Sequence, residues 1–350
     1  MNDAAFQDLE IISRAVGNSP DMVQGGGGNT SVKLNDELMA VKASGYKLKQ
    51  VTRSEGFVVV NYKDIKDYFD RADLDSGIDY EKDSTAFLKK SVVKVEGLKE
   101  LRPSVEAGFH SILQKYVIHS HAVYVNILCC SKKGEEIIRE IFSGKPYCFL
   151  WIPYVNPGFA LTLKIREALE RHMKSGGKFP KAIFMENHGL IVNSDRREEV
   201  IRLHEDVNGS IKKFLKLMEP YPEILVEKID DDIFMSRTAY LKDFFKNNSI
   251  SSDFFDKNAL YPDQLVYLND NISLDNNENK LNINTKTGEI TYRTSFQEAL
   301  TMEETLLAYI YVLKNIKEKG LPIKKMTPEE IGFIKNWESE KYRKALIKRS

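Results

Sequence analysis

The sequence predicts an α/β protein, because helical and strand-like segments alternate along its first 220 residues. Phe6, Leu9, Ile12 and Val16 form an apolar stripe at helical spacing, which predicts a helix over residues 3 to 16. Two β-prone runs, 31 to 34 and 37 to 42, flank Asn35-Asp36 and predict a hairpin. The continuous apolar run 117 to 130 predicts a strand buried on both faces.

The other elements of this first region follow in chain order. A strand is predicted over residues 57 to 60, and the charged stretch 62 to 100 is expected to form surface helices and loops. The remaining predictions are a helix at 104 to 116, a helix at 158 to 174, strands at 182 to 185 and 190 to 193, and a helix at 196 to 217.

The composition changes after about residue 220, where Pro220-Tyr221-Pro222 interrupts the preceding helix. An Asn-rich tract spans residues 268 to 285, and a hairpin-like segment follows at 284 to 293. Two closing helices are predicted, at 296 to 319 and 327 to 347. We therefore expect one domain over residues 1 to 222 and a smaller α+β extension of unknown role over 223 to 350.

Charge and composition favour a small-molecule ligand. The 51 basic and 51 acidic residues balance, so the chain lacks the basic field that nucleic-acid binding requires. The three cysteines have no C-x-x-C spacing, which is typical of reduced thiols. The N-terminus lacks the basic and apolar regions of a signal peptide, and no run approaches the ~20 apolar residues of a membrane span. We expect a cytoplasmic protein that binds neither nucleic acid nor a membrane.

Three histidines predict a metal site. His119 and His121 are two residues apart in an apolar strand, so their side chains point to one face. His188 lies in an Asn-His-Gly turn between two apolar runs and is the best third ligand, since three histidines with an open position describe catalytic zinc. The alternative for the pair is two partly exposed histidines that bind nothing. The other histidines, His110, His172 and His204, are expected to be structural or solvated, and a position of His204 in the lining of the site stays an alternative.

Glu106 and two glycine-containing loops have both structural and functional interpretations. Glu106 begins a predicted helix, where a carboxylate either favours the helix dipole or serves as a general acid/base beside a metal. The loop from Gly25 to Ser31 fits neither nucleotide-binding glycine pattern, yet its N–H groups suit an oxyanion such as a phosphate. Ala43-Ser44-Gly45 is a second such candidate. Flexible turns are the alternative for both loops.

Taken together, these segments resemble the class II aldolase/adducin family, which includes fuculose-phosphate and rhamnulose-phosphate aldolases. The matching stretches lie in order between residues 25 and 193: GGGGNTSVKL, MAVKASG, RPSVEAGFH, HSHAV and ENHGLIV. Three segments are more similar to the aldolase half of bifunctional rhamnulose-phosphate aldolase/dehydrogenases: GGGGNTSVK, RPSVE and IPYVNPGFAL.

The resemblance implies a three-layer α/β/α fold with a largely antiparallel central sheet, assembled as a homotetramer with active sites between subunits. It implies zinc, or another divalent metal, on His119, His121 and His188, with Glu106 as the acid/base. The implied phosphate-binding residues are Gly28, Asn29, Thr30, Ser44, Gly45 and Ser104. Fuculose-type enzymes carry a second Ser directly before the catalytic Glu, whereas this chain has Val105, which cannot donate a hydrogen bond to a substrate phosphate.

The implied reaction is cleavage or formation of a C–C bond in a ketose 1-phosphate through a metal-stabilised enediolate, giving dihydroxyacetone phosphate and an aldehyde. Sugar-phosphate epimerases, decarboxylases of phosphorylated sugar acids and a dehydratase of methionine salvage share this fold and remain alternatives. A non-catalytic, adducin-like scaffold is a further alternative, although scaffolds of that type lack the intact ligand set.

Overall fold

A computed structural model describes residues 3–337 and contains two β-sheets. Within these residues, an eight-stranded sheet has the order β4-β3-β2-β1-β5-β8-β7-β6. Its strands are β1 (Asn29–Lys33), β2 (Leu38–Lys42), β3 (Phe57–Asn61), β4 (Val92–Val93), β5 (Tyr116–Ser120), β6 (Phe149–Ile152), β7 (Ala182–Met185) and β8 (Gly189–Ser194). All neighbouring pairs are antiparallel except β6 and β7, so the expected largely antiparallel sheet is confirmed.

Helices cover both faces of this sheet. One face packs against the helices α1 (Asp3–Gly17), α5 (Val123–Cys129) and α8 (Arg197–Phe214). The other face packs against α2 (Tyr62–Asp70), α4 (Ala107–Ile112) and α7 (Phe159–Lys174). The strands alternate accordingly: Val32 and Ile118 face the first layer, while Met39 and Val117 face the second. The expected α/β/α layering is therefore confirmed.

The apolar run 117 to 130 does not form one strand. Strand β5 ends at Ser120, and helix α5 begins at Val123 after a turn at His121 and Ala122. Every residue of α5 is buried because the helix lies between the sheet and a helix from the C-terminal region. A helix buried on all sides shows no polar stripe, so its sequence is indistinguishable from that of a buried strand.

The predicted helix over residues 104 to 116 is shorter in the structure. Only α4 is helical, because the chain before it is extended and pairs with the segment after β2. Pro103 forms a β-bridge with Ala43, and Ser44 N–H donates to the Arg102 carbonyl at 2.9 Å. Helices α3 (Tyr80–Lys90) and α6 (Gly134–Phe142) complete the first region.

The C-terminal region carries the second sheet, with order β11-β12-β13-β10-β9 among the described residues. Its strands are β9 (Val226–Asp230), β10 (Ile233–Ser236), β11 (Ile272–Leu274), β12 (Leu281–Ile283) and β13 (Ile290–Arg293). Strands β12 and β13 form the antiparallel hairpin that the sequence predicts. The helices are α9 (Ala239–Asn247), α10 (Phe254–Lys257), α11 (Pro262–Tyr267), α12 (Phe296–Glu318) and α13 (Pro328–Asn336). The predicted last helix, 327 to 347, extends beyond the described residues.

The C-terminal region packs directly on the first region, and the division at residue 222 stays a prediction. Helix α12 lies against α5, and their apolar side chains belong to one hydrophobic core. The Asn187 side-chain amide donates to the carbonyls of Leu260 at 2.7 Å and Lys324 at 2.8 Å. Among the described residues no helix combines the length and apolar character needed to cross a membrane.

We expect Asn187→Ala to lower the free energy of unfolding by about 3 kcal/mol. The variant removes one buried and one partly buried hydrogen bond between the regions, and Asn187 has a φ of 50°, which Ala tolerates less well than Asn. Urea denaturation measures the change. Asn248→Ala, which removes an exposed amide bonded only locally to Phe244, is the matched control and should cost about 0.5 kcal/mol or less. Equal stability of the two variants would contradict the prediction.

Candidate metal centre

Three histidines converge where β5 ends and β7 turns into β8. His119 is the fourth residue of β5, His121 follows the strand, and His188 lies in the turn before Gly189. The Nε2 atoms of His119 and His121 are 3.1 Å apart, and the three ring centroids are separated by 4.9, 5.0 and 5.3 Å. One potential ligand atom from each residue lies within 4.8 Å of the others.

The arrangement suits a divalent metal. Two imidazole nitrogens bound to one tetrahedral zinc at 2.0–2.1 Å lie about 3.4 Å apart, close to the separation of His119 and His121. All three rings are buried, and burial holds the pKa of His119 well below its usual value, so that ring is neutral and able to donate a lone pair. His188 Nδ1 is buried without a hydrogen-bond partner among the described residues, and its other nitrogen, Nε2, lies 3.3 Å from Glu106.

Glu106 lies beside the three rings. Its two carboxylate oxygens are 3.3 Å from His188 Nε2 and 3.6 Å from His119 Nε2. It occupies the N-cap position of α4, but its side chain makes no capping hydrogen bond. Burial acts to raise the pKa of Glu106, but the imidazoles, His119 foremost, outweigh it and hold the pKa well below its usual range. The group is therefore an ionised carboxylate.

Asn29 orients Glu106 through a buried network. Strand β1 pairs with β5 so that Asn29 lies opposite His119. The Asn29 amide donates to Glu106 at 2.6 Å and to Ser104 Oγ at 3.3 Å, and its Oδ1 contacts His110 Nε2. Burial lowers the pKa of His110 to about 3, so this ring is neutral. Because Ser31 lies 2.7 Å from His110 Nδ1, both ring nitrogens have partners, and His110 is structural as expected.

The other predicted phosphate residues differ in their surroundings. Ser104 also accepts the backbone N–H of Glu106 at 3.3 Å, so it lies within the network. Ser44 and Gly45 lie in a half-buried loop beside the segment that leads to Ser104. The Thr30 hydroxyl instead bonds Ser13 of α1 at 2.6 Å, on the opposite face of β1, so the structure does not bring it to the site.

The glycine loop already holds a carboxylate of the chain itself. Gly25 N–H donates to Glu304 of α12 at 2.9 Å, and Lys47 pairs with the same oxygen at 3.3 Å. Gly28 has a φ of 66°, and a Cβ there would lie 2.7 Å from the His119 carbonyl. At Gly25 and Gly28, therefore, the loop serves close packing against α12 and β5. The buried Lys42 ammonium joins the loops, 3.3 Å from the Gly26 carbonyl and 3.5 Å from that of Ala43.

Asp263 is the site neighbour that the sequence did not indicate. This buried residue lies in α11, and its Oδ2 is 2.5 Å from His121 Nδ1. No motif marks Tyr261-Pro262-Asp263-Gln264, so only the fold reveals the contact. His204, expected to be structural, bonds Ser120 at 2.8 Å from α8 on the other face of β5, and His172 bonds the Lys178 carbonyl.

Comparison with known proteins identifies the family. The model of the family described as "Class II Aldolase and Adducin N-terminal domain" matches residues 8–213, which is more than half of the chain. The chain belongs to this family, and the resemblance of its motifs to class II aldolases is confirmed.

Three known proteins illustrate the similarity. The chain is 27% identical over 201 residues to "Uncharacterized oxidoreductase YuxG" of Bacillus subtilis, a match spanning 55% of this chain but only 27% of that protein. It is 25% identical over 215 residues to "3-oxo-tetronate 4-phosphate decarboxylase" of Haemophilus influenzae, covering 55% of this chain and 82% of the relative. The solved N-terminal class II aldolase domain of a Thermoplasma acidophilum protein is 27% identical, with a TM-score of 0.49, over 59% of this chain and 92% of that domain.

His204 predicts an acid-dependent loss of stability. Burial lowers its pKa to about 4, against about 6.5 in the unfolded chain, so the unfolded state binds the extra proton as the pH falls below 6.5. This residue alone should therefore destabilise the metal-free protein by about 2 kcal/mol between pH 7 and pH 5. Urea denaturation at both pH values should show a smaller loss, by about that amount, for His204→Gln. An identical loss in both proteins would contradict the prediction.

Proposed function

We propose that this chain is a metal-dependent lyase that cleaves or forms a C–C bond in a sugar phosphate, converting a ketose 1-phosphate to dihydroxyacetone phosphate and an aldehyde. One observation carries the proposal: three converging imidazoles lie beside an ionised carboxylate, with Glu106 3.3 Å from His188 and 3.6 Å from His119. A site that only stored metal would not need a carboxylate held in place by Asn29.

His119, His121 and His188 would hold the metal, and zinc fits an all-histidine set. Once bound, a divalent cation supplies Lewis-acid polarisation of a carbonyl and stabilises the negative charge that develops during C–C cleavage. The protein's own contribution is to keep the rings neutral by burial and to hold their nitrogens together.

Glu106 would move the proton. As an ionised carboxylate it can take a proton from the C3 position of dihydroxyacetone phosphate in the synthetic direction, and it returns one to that carbon after cleavage. The Asn29 amide, 2.6 Å from Glu106 Oε2, keeps the carboxylate beside the histidines.

The substrate phosphate would bind between the two glycine-containing loops. Asn29, Ser104, Ser44 and the backbone around Gly28 and Gly45 remain our candidates, whereas Thr30 points away.

Lys42 supports an anionic group between these loops, because its buried ammonium contacts both of them. A cation at this position compensates for Val105, which cannot donate the hydrogen bond of the fuculose-type serine.

We expect the purified protein to carry about one divalent metal ion per chain. Alanine substitution of His119, His121 or His188 should each reduce the bound metal at least tenfold, because every ring supplies one ligand. Elemental analysis after native purification measures the content, and His172→Ala, outside the cluster, serves as the control. A metal-free wild-type protein that stays unloaded in excess zinc would favour the adducin-like scaffold.

Glu106→Gln should lower turnover by about 10²- to 10⁴-fold while the metal stays bound, because the amide keeps the shape but cannot accept the proton. Release of dihydroxyacetone phosphate from ketose 1-phosphates and deuterium exchange at its C3 in D2O measure the two half-reactions. Glu81→Gln is the control, since that carboxylate accepts backbone N–H groups of Phe159 and Ala160. Full turnover in Glu106→Gln would remove this role.

Decarboxylation of a phosphorylated sugar acid is the second candidate. It is favoured by the 25% identity to "3-oxo-tetronate 4-phosphate decarboxylase", a protein of which the match covers 82%. Incubation with 3-oxo acid phosphates, followed by measurement of CO2, distinguishes the reactions: CO2 release without deuterium exchange in dihydroxyacetone phosphate would replace the aldolase assignment.

Membership of the family also suggests an oligomeric state and a cellular location. We propose a cytoplasmic homotetramer whose active sites lie near subunit contacts. Light scattering of the full chain tests the assembly, and a monomer that is active at nanomolar concentration would contradict sites shared between subunits.

A further inference from the structure

We propose that Asp263, in the C-terminal region, is a positioning residue for the metal centre. It holds the His121 ring by its Nδ1 atom and so directs Nε2 toward the other two histidines. This inference rests on the proposed function of the three histidines as metal ligands. It gives the C-terminal region a role in the site, which neither the sequence nor the family match assigns.

The hydrogen bond between Asp263 and His121 has the geometry of an orienting contact. The atoms Asp263 Oδ2 and His121 Nδ1 are 2.5 Å apart, and both side chains are buried. A proton held on Nδ1 leaves the Nε2 lone pair free, and Nε2 is the atom 3.1 Å from His119 Nε2. A carboxylate partner also makes the imidazole a more basic ligand than a carbonyl partner does.

His119 has a different orienting partner. Its Nδ1 lies 3.0 Å from the Leu190 carbonyl of the neighbouring strand β8. The pairing of β5 with β8 therefore orients His119, the histidine that lies within a strand. His121 lies beyond the end of β5, where pairing with β8 no longer constrains it. The Asp263 side chain of α11 orients its ring instead.

Gly27 provides the space for this contact. A Cβ built on Gly27 would lie 2.5 Å from Asp263 Oδ2 and 2.7 Å from His121 Nδ1, closer than non-bonded atoms approach. Its backbone is not in the left-handed region, so the absence of a side chain is required by space rather than by conformation. One of the four consecutive glycines is thus explained by the Asp263–His121 pair.

A single short segment, Leu260 to Asp263, contacts both His121 and the residue that precedes His188. The Leu260 carbonyl accepts the amide of Asn187, the residue directly before His188, while Asp263 bonds His121. The segment itself is rigidly held: Leu260 N–H donates to Gln264 at 2.8 Å, and Gln264 donates to the Phe255 carbonyl at 3.0 Å. The C-terminal region thus bonds His121 directly and holds the turn that carries His188 through Asn187.

Zinc affinity of the full-length protein, measured by competition with a chromophoric chelator, tests the proposal. We expect Asp263→Asn, which keeps the shape but loses the charge, to bind Zn²⁺ about tenfold more weakly than the wild type. Asp263→Ala should lose more, up to about 100-fold. The visible absorption bands of the Co²⁺-loaded protein should change in both variants, because the His121 ring is no longer fixed.

Two further variants separate positioning from packing. Gly27→Ala should weaken Zn²⁺ binding as Asp263→Ala does, and the two effects should be less than additive because they act on one contact. Gly144→Ala, where a Cβ meets open space, and Asp253→Asn, a surface residue paired with Lys257, are the matched controls and should bind like the wild type.

The outcomes distinguish this inference from the proposed function. If the wild type binds Zn²⁺ through the three histidines but Asp263→Asn binds within twofold of it with an unchanged Co²⁺ spectrum, only the role of Asp263 is overturned. If the wild type itself binds no metal, the proposed function fails. Should Asp263→Ala fail to fold, the isosteric Asp263→Asn variant decides the question alone.

Discussion

Strand β5 is paired with β1 on one side and β8 on the other, and the candidate site depends on this ladder. The register places Asn29 opposite His119 and Leu190 opposite Ser120. Asn29 thereby orients Glu106, and the Leu190 carbonyl orients the His119 ring. Since a slip of one residue would turn every side chain to the opposite face of the sheet, the hydrophobic layers that set the register also set the chemistry.

Burial keeps imidazoles of the site neutral. A buried imidazole loses the hydration that stabilises its charged form, so His119 and His110 remain neutral at physiological pH. Glu106 keeps its charge because imidazoles and the Asn29 amide surround it. Neutral nitrogens and an ionised carboxylate in one buried cluster are the state that a divalent cation requires. Desolvation usually costs free energy when polar groups are buried, but here it keeps the imidazole nitrogens neutral and able to bind a metal.

Local patterns in the sequence predicted several strands and the histidine pair, whereas the largely antiparallel sheet was implied by the resemblance to the family. Short β-prone runs mark β1, β2 and β3, and the spacing of His119 and His121 marks a shared face. Helix α5 was missed because it is buried on all sides, and the short strand β11 was missed because it lies in a polar, Asn-rich tract. The contact of Asp263 with His121 spans 142 positions along the chain, and no local pattern reports such a pairing.

The glycine-rich loop shows how one motif can serve two purposes. Its sequence suggested backbone N–H groups waiting for an oxyanion, and Gly25 does donate to one, but the anion is the carboxylate of Glu304 in α12. Two positions further on, Gly27 leaves room for a second carboxylate, Asp263, to reach His121. Both acids come from the C-terminal region, so that region packs against the glycine-rich loop. Helix α12 therefore contacts the loop at Gly25, and Asp263 of α11 lies beside Gly27 where it bonds the His121 ring.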